Sequence, residues 1–370
     1  MTPRVRPHRR AISIIDYTQS DARSGDVIVA LDEVDILREN GYDVAVLCDN
    51  GTFDIRNKPR EVAAALFRSW SYEHVDYVIC NHPSRHDLAT LLSQMTNAVY
   101  VFREHIDYDA FVSTIAELNL DAARIMTRAS VGETLTNYHK AKVRSDVVIS
   151  TNVQSISSRH MNRQIFCPPP LAADRRSNAA LWTRNQGVLR IVIGGRLGDP
   201  LKGAARILKV LERVEEATQD YEVHAIGSLP GSAVERLEGL LGRRFLNHGW
   251  IDSRSEYIKV LSMGHVFLTL PFYESFGVTL AEAVMLGLIP VSTAQGVARL
   301  LPALKSAPGK HLGTIVNGAI AEDEITRVVS DIIVALASTE GLNGEEASPI
   351  RQHLWQLYDT GLLPTALATL

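Results

Sequence analysis

Two runs of alternating apolar strands and amphipathic helices, parted by three consecutive prolines, constrain this chain more than any other feature. Ala11–Ile15 is a β-branched run bounded by Asp16, the pattern of a buried strand. Asp26–Glu39 then sets Val27, Leu31, Val34 and Leu37 at helical spacing, and Asn40-Gly41 supplies residues that tolerate a left-handed helix end. The pattern predicts further strands at Val44–Cys48, Val75–Cys80, Val99–Phe102 and Asp146–Ser150. Helices are predicted between them over Glu61–Trp70, His86–Met95 and one longer region, residues 107–141. Pro168-Pro169-Pro170 can neither continue a helix nor donate to a sheet. Beyond it the alternation restarts, with strands at Leu189–Ile193, Tyr221–Ile226, Phe245–Gly249, Val266–Leu270 and Ile289–Val291. Helices are predicted over Gly203–Ala217, Ala233–Leu241, Arg254–Ser262, Val278–Leu286 and Ala319–Ala337. Strands and helices alternating at these lengths imply βαβ units and mainly parallel sheets, an α/β class.

A chain of 370 residues accommodates two such domains. The expected division is residues 1–170, a linker at 171–187, a second domain at 188–346, and a helical segment at 347–370 that packs back on the first domain. Two doubly wound halves leave a cleft, with ligands expected beyond the carboxyl ends of the strands. A net charge of -4 excludes the broad basic field of a dedicated nucleic-acid binder. No apolar run reaches the roughly 18 residues of a membrane span and no signal-peptide core is evident, so a cytoplasmic protein is expected. Cys48, Cys80 and Cys167 lack metal-ligand spacing and read as free thiols. Arg4, Arg6, Arg9 and Arg10 stand among Pro3 and Pro7 and read as a solvated, disordered tail. A sharper reading is weak attraction to an anionic membrane surface.

Two loops carry the chemistry. In Pro271-Phe272-Tyr273-Glu274-Ser275-Phe276-Gly277-Val278, a strand runs into a loop and a helix opens near Gly277. A helix amino end presents unpaired N–H groups that suit a phosphate. Glu274 lies at this mouth and Glu282 further along the helix; carboxylates there can accept hydrogen bonds from sugar hydroxyls. The plainer alternative makes Glu274 a partner of the helix dipole and Glu282 a surface residue. In the second loop, Gly194-Gly195-Arg196-Leu197-Gly198-Asp199-Pro200-Leu201-Lys202-Gly203, Arg196 and Lys202 could hold one anionic group. The plainer alternative is a surface loop with incidental charges, and the dinucleotide fingerprint GxGxxG is absent.

Together these loops resemble the GT-B glycosyltransferases of the GT4-like group, over residues 188–295. Glu274 and Glu282 match that family's E-x7-E element, followed by Ser275, Phe276, Gly277 and Val278 in its usual order. Gly287 and Pro290-Val291 match its continuation, and Gly249-Trp250-Ile251 with Tyr257 and Leu261 matches a strand and helix before the element. The resemblance implies two Rossmann-like domains, with Arg196 and Lys202 on the donor diphosphate and Glu274 and Glu282 on the donor sugar and ribose. It implies further donor contacts at Gly25, Gly195 and Gly227, and a place near the transferred sugar for His105 in Arg103-Glu104-His105-Ile106-Asp107. Asp16 and Arg23 are further candidate contacts, whereas His82 and His86 read as loop and helix-start residues. Three features depart from the family: a longer Arg196–Lys202 interval, Pro168-Pro169-Pro170-Leu171 at the junction, and Ser24 in place of a glycine.

The resemblance implies retaining sugar transfer from a nucleoside-diphosphate sugar to an unidentified acceptor, with no metal and no other cofactor. Two rivals stay open: a GT-B nucleotide-sugar 2-epimerase, and a partner subunit that binds without catalysis. The intact Glu274, Arg196 and Lys202 favour transfer over both.

Overall fold

The computed structural model describes residues 9–15, 25–48, 74–120, 131–151, 163–169, 187–299, 301, 315–316, 321–339, 351–352, 354–355, 363–368 and 370, with backbone alone at 25–28, 48 and 163. The predicted helix at Glu61–Trp70, the linker at 171–186, Asp16, Arg23 and Ser24 lie outside the described residues. The chain divides into two compact units, residues 1–170 with 358–370, and residues 171–357.

In the first unit six parallel strands run in the order β2-β1-β3-β4-β5-β6. They are β1 (Arg9–Ile15), β2 (Tyr42–Cys48), β3 (Tyr77–Cys80), β4 (Val99–Glu104), β5 (Val147–Ser150) and β6 (Arg163–Phe166). Successive side chains leave opposite faces of a strand, and the core divides accordingly. Ala11, Ile15 and Ile79 pack with Val34 and Leu37 of helix α1 (Gly25–Glu39) on one face. Ile12, Ile14, Val78 and Tyr100 pack on the other against α2 (His86–Thr96) and α4 (Val131–Arg144). The sheet is therefore doubly wound. The long helical region expected at 107–141 is interrupted: α3 (Tyr108–Glu117) ends before Asn119, whose φ of 51° is left-handed. Strand β6 escaped the sequence reading because it pairs only with β5, at the sheet edge, and carries few apolar residues.

Arg9 and Arg10 correct the expectation of a disordered tail at its last two residues, while Pro3, Arg4, Arg6 and Pro7 lie outside the described residues. Arg9 and Arg10 belong to β1, where the Arg9 guanidinium donates to the phenol oxygens of Tyr42 and Tyr77 at 3.3 Å. The Arg10 backbone N–H donates to Asp76 at 2.7 Å. A short terminal helix, labelled α10 below (Leu363–Ala368), packs on this unit: Tyr77 donates its hydroxyl to the Leu367 carbonyl at 2.9 Å, and Leu363 and Leu367 join the α1-side core.

The second unit is again a parallel sheet but with a different strand order, β12-β11-β10-β7-β8-β9. Its strands are β7 (Leu189–Arg196), β8 (Tyr221–Ser228), β9 (Phe245–Gly249), β10 (Val266–Thr269), β11 (Ile289–Thr293) and β12 (Ile315–Val316). Its helices are α5 (Ala204–Ala217), α6 (Gly231–Leu241), α7 (Arg254–Leu261), α8 (Val278–Met285) and α9 (Glu322–Ser338). Helix α5 lays Ile207, Val210, Leu211 and Val214 on the sheet, and α9 packs beside it with Ile325, Val329 and Ile333. The chain steps from β7 to one side through β8 and β9, then returns to lay β10 on the other side of β7. The crevice where strand order reverses is where ligands bind in such sheets, and here it lies at the carboxyl ends of β7 and β10.

Candidate functional site

The two loops singled out by sequence leave these two strand ends. Strand β7 ends on the exposed Arg196. Asp199 then caps a 3-10 turn at Pro200–Lys202, accepting from the Leu201 N–H at 2.9 Å. Gly203 closes the turn with φ of 73°, and a Cβ there would lie 2.0 Å from the Leu270 carbonyl oxygen. Only glycine meets both demands, the left-handed backbone and the close approach to β10. The Leu201 carbonyl in turn accepts from the Phe272 N–H at 2.8 Å, which stitches the first loop to the second.

That stitching brings Lys202 to Glu274. Their charged groups lie 2.8 Å apart, each side chain 20% exposed, although 72 residues separate them. Ser275 and Val278 are half-buried, Phe276 is buried, and Gly277 opens α8 with φ of 86°. The Phe276 carbonyl accepts from Val297 N–H, and a Cβ on Gly296 would meet the same oxygen at 2.4 Å. Gly296 and Val297 are contributors that the sequence reading passed over; they follow β11 and hold the loop from below. Arg206 was also missed. It donates to the carbonyls of Leu270 and Pro271, pairs with Glu322 and stacks on the Phe272 ring at 3.5 Å.

Glu282 is not a surface residue. It is 2% exposed, accepting from the Tyr257 hydroxyl at 2.7 Å and from the Arg254 guanidinium. Burial and the adjacent carboxylate push the Tyr257 phenol well up, so it stays protonated as the donor. On the neighbouring strands Gly195 and Gly227 face each other in register, and a Cβ on Gly227 would lie 2.3 Å from the Gly195 carbonyl oxygen.

The first unit holds the remaining predicted residues. Gly25 is the first residue of α1 rather than a loop residue. His82 caps the 3-10 turn Pro83–Arg85, and His86 begins α2, both as expected. His105 is buried just beyond β4, with Nε2 3.1 Å from Asn81 Oδ1. Burial, with Arg103 and His82 adding to it, pushes its ring well below the usual histidine value, so it is neutral. Around it lie two buried ion pairs. Arg103 meets Glu33 at 2.6 Å and donates to the Cys167 carbonyl at 3.0 Å. Lys142 meets Glu104 at 2.9 Å, and both engage the Tyr138 hydroxyl. Cys80 and Cys167 are free and buried.

Residues 176–301, which contain both loops, match the family profile described as Glycosyl transferases group 1. This stretch of the chain is a group 1 glycosyltransferase domain. Solved structures agree on its fold. Sucrose-phosphate synthase from Thermosynechococcus elongatus superposes with a TM-score of 0.66 at 17% identity, over 98% of each chain. HepE of Anabaena, solved in complex with UDP-glucose, gives 0.63 at 13% identity over 98% of this glycosyltransferase and 100% of HepE. The lipopolysaccharide outer core galactosyltransferase WaaB gives 0.60 at 15% identity, over 97% and 100%. At these identities the likeness speaks for fold, which is GT-B. No sequence among the curated proteins matches the chain. Among the described residues, no helix of this glycosyltransferase is long and apolar enough to cross a membrane.

Proposed function

We propose that this glycosyltransferase moves a sugar from a nucleoside-diphosphate sugar to an acceptor hydroxyl with retention at the anomeric carbon, without a metal. The observation that carries the reading is the Lys202–Glu274 contact at the β7/β10 crevice, beside the exposed Arg196. Lys202 and Arg196 would take the diphosphate, a point charge and a planar fork. The opening turn of α8 at Gly277 and Val278 adds N–H donors to the same anion. Glu274 would then exchange its contact with Lys202 for hydroxyls of the transferred sugar. Glu282, oriented by Arg254 and Tyr257, would accept from the ribose. Gly195 and Gly227 leave the backbone bare where the donor passes.

In the reaction the bond from the anomeric carbon to the diphosphate oxygen breaks, and negative charge grows on the leaving phosphate. Cations already in place stabilise that charge without reorganising. The acceptor oxygen bonds to the same face of the anomeric carbon, and its proton passes to the leaving phosphate oxygen. The GT4-like resemblance supports this retaining course and a role for His105 near the transferred sugar. The donor complexes of HepE support a nucleotide-sugar donor. A soluble, cytoplasmic enzyme is proposed, with weak surface attraction through Arg4 and Arg6; cosedimentation with anionic liposomes tests the latter.

Thermal shift against UDP, GDP, TDP, ADP and CMP and their sugar conjugates tests the donor site. A ligand at about 100 times its Kd stabilises by roughly 2.7 kcal/mol. A selective shift that disappears in Arg196→Ala is expected, and the anomeric configuration of the product by NMR tests retention. Silence toward every nucleotide would overturn the donor assignment. Activity that vanishes in EDTA and returns with a divalent cation would overturn the metal-free reading. Epimer formation without acceptor would identify the isomerase instead.

A further inference from the structure

Ser13, Asn81 and His105 form a hydrogen-bonded chain across the carboxyl ends of three adjacent strands, β1, β3 and β4. Asn81 Nδ2 donates to Ser13 Oγ at 3.0 Å, and Asn81 Oδ1 lies 3.1 Å from His105 Nε2. The Asn81 backbone N–H also donates to the Ile14 carbonyl at 3.0 Å, so the residue is held at both ends. Thr151 donates its hydroxyl to the His105 carbonyl at 3.2 Å, which anchors the other partner. An amide oxygen only accepts, so the hydrogen between the two side chains belongs to His105 Nε2. Burial disfavours the imidazolium, and in the neutral ring with its hydrogen on Nε2 the Nδ1 atom carries a lone pair.

We propose that Asn81 is a positioning residue that holds His105 in the Nε2–H tautomer, so that the ring offers Nδ1 as an acceptor to a ligand hydroxyl. This rests on the reading of His105 as a neighbour of the transferred sugar, and it narrows what His105 can do there. A lone pair at Nδ1 attracts a sugar O–H or an amide N–H. It repels a phosphate or carboxylate oxygen, which brings no hydrogen. In this arrangement His105 orients a neutral, hydroxyl-rich group and not an anion. The tautomer is thus imposed from β3 by a residue with no charge of its own.

The test uses the full-length protein with imidazole-15N histidine, the His105 signals being assigned by their loss in His105→Gln. The expected wild-type spectrum is the neutral Nε2–H form, retained well below the usual titration range. Asn81→Ala should admit the Nδ1–H form. Asn81→Asp, which sets a carboxylate on Nε2, should bring the imidazolium in near neutral pH. A merely structural residue would change thermal unfolding without moving these signatures. Release of nucleoside diphosphate from UDP-, GDP-, TDP- and ADP-glucose is read in parallel, with kcat/KM falling about tenfold in Asn81→Ala, the size of one hydrogen bond. An Nδ1–H tautomer in the wild type, or a tautomer and titration unmoved in both variants, would overturn the proposal. Unimpaired transfer by His105→Gln would instead sink the sugar-contact reading while leaving the tautomer result standing. If Asn81→Ala fails to fold, Asn81→Asp and Ser13→Ala carry the same spectroscopic test.

Discussion

Both units are doubly wound parallel sheets, the first reversing its strand order after two described strands and the second after three, and they hold their strand ends in different ways. In the second unit the crevice is shaped by backbone: Gly203 against Leu270, Gly227 against Gly195, and Gly296 against Phe276. In the first unit the equivalent region is held by buried side chains: Arg103 with Glu33, Lys142 with Glu104 and Tyr138, and His105 with Asn81. The contrast follows from what each arrangement demands. A close approach of one backbone to another needs a residue without a side chain, and Gly203 and Gly227 stand at strand and loop ends that the sequence already marks. Buried ion pairs join residues 38 to 70 positions apart, and nothing local in the chain marks them.

The contrast can be broken most decisively in the first unit. Arg103→Met leaves Glu33 buried without its cation, and a loss of about 3–5 kcal/mol in stability is expected by denaturant unfolding. Pairing it with Glu33→Leu should recover much of that loss, because the paired apolar side chains carry no charge to desolvate. If the single change costs little, buried charge does not hold this unit together. In the second unit Lys202→Ala should slow nucleoside-diphosphate release by about 10²–10³-fold while leaving unfolding nearly unchanged, the signature of a residue spent on charge in the transition state.

Gly203→Ala sharpens the backbone side of the comparison. It adds a clash with the Leu270 carbonyl to a left-handed φ, and roughly 3 kcal/mol of destabilisation is expected. At Gly195 a Cβ meets nothing within 4 Å. Gly195→Ala should therefore cost only about 1–2 kcal/mol from its positive φ. Equal costs at the two positions would mean that close approach plays no part.

The smallest effect is a pH dependence centred on the first unit. Burial lowers His86 and, more strongly, His105, where Arg103 and His82 add to it. Between those depressed values and about 6.5 the unfolded chain binds more protons than the fold. The stability these neutral rings contribute is complete above about pH 6.5 and is lost as pH falls through the folded values. Thermal unfolding of the first unit should move to lower temperature below that point, and His105→Gln should flatten the slope. An unchanged slope would place the acid sensitivity elsewhere.

Much of the architecture was legible in the chain. Short continuous apolar runs marked most strands, and capping residues marked helix ends such as Asn40-Gly41. The edge strands β6 and β12 were not legible, because a strand with one neighbour needs little apolar sequence. The break at Asn119 was not legible either, since apolar spacing continues on both sides of it. Within the site, Lys202 and Glu274 could be nominated from their loops, but their 2.8 Å contact could not.

By itself the sequence determined the doubly wound α/β class, the place of the Pro-rich break, and the two loops that carry charge and glycine. These are local properties, set by residue shape and backbone freedom over a few positions. Only the tertiary structure decided that Glu282 is buried against Arg254 and Tyr257, that Arg206 braces the Pro271 loop, and that Asn81 faces His105. Each of these depends on which strands lie side by side. Strand order comes from the packing of whole helices on whole sheets, and no short stretch of the chain encodes it.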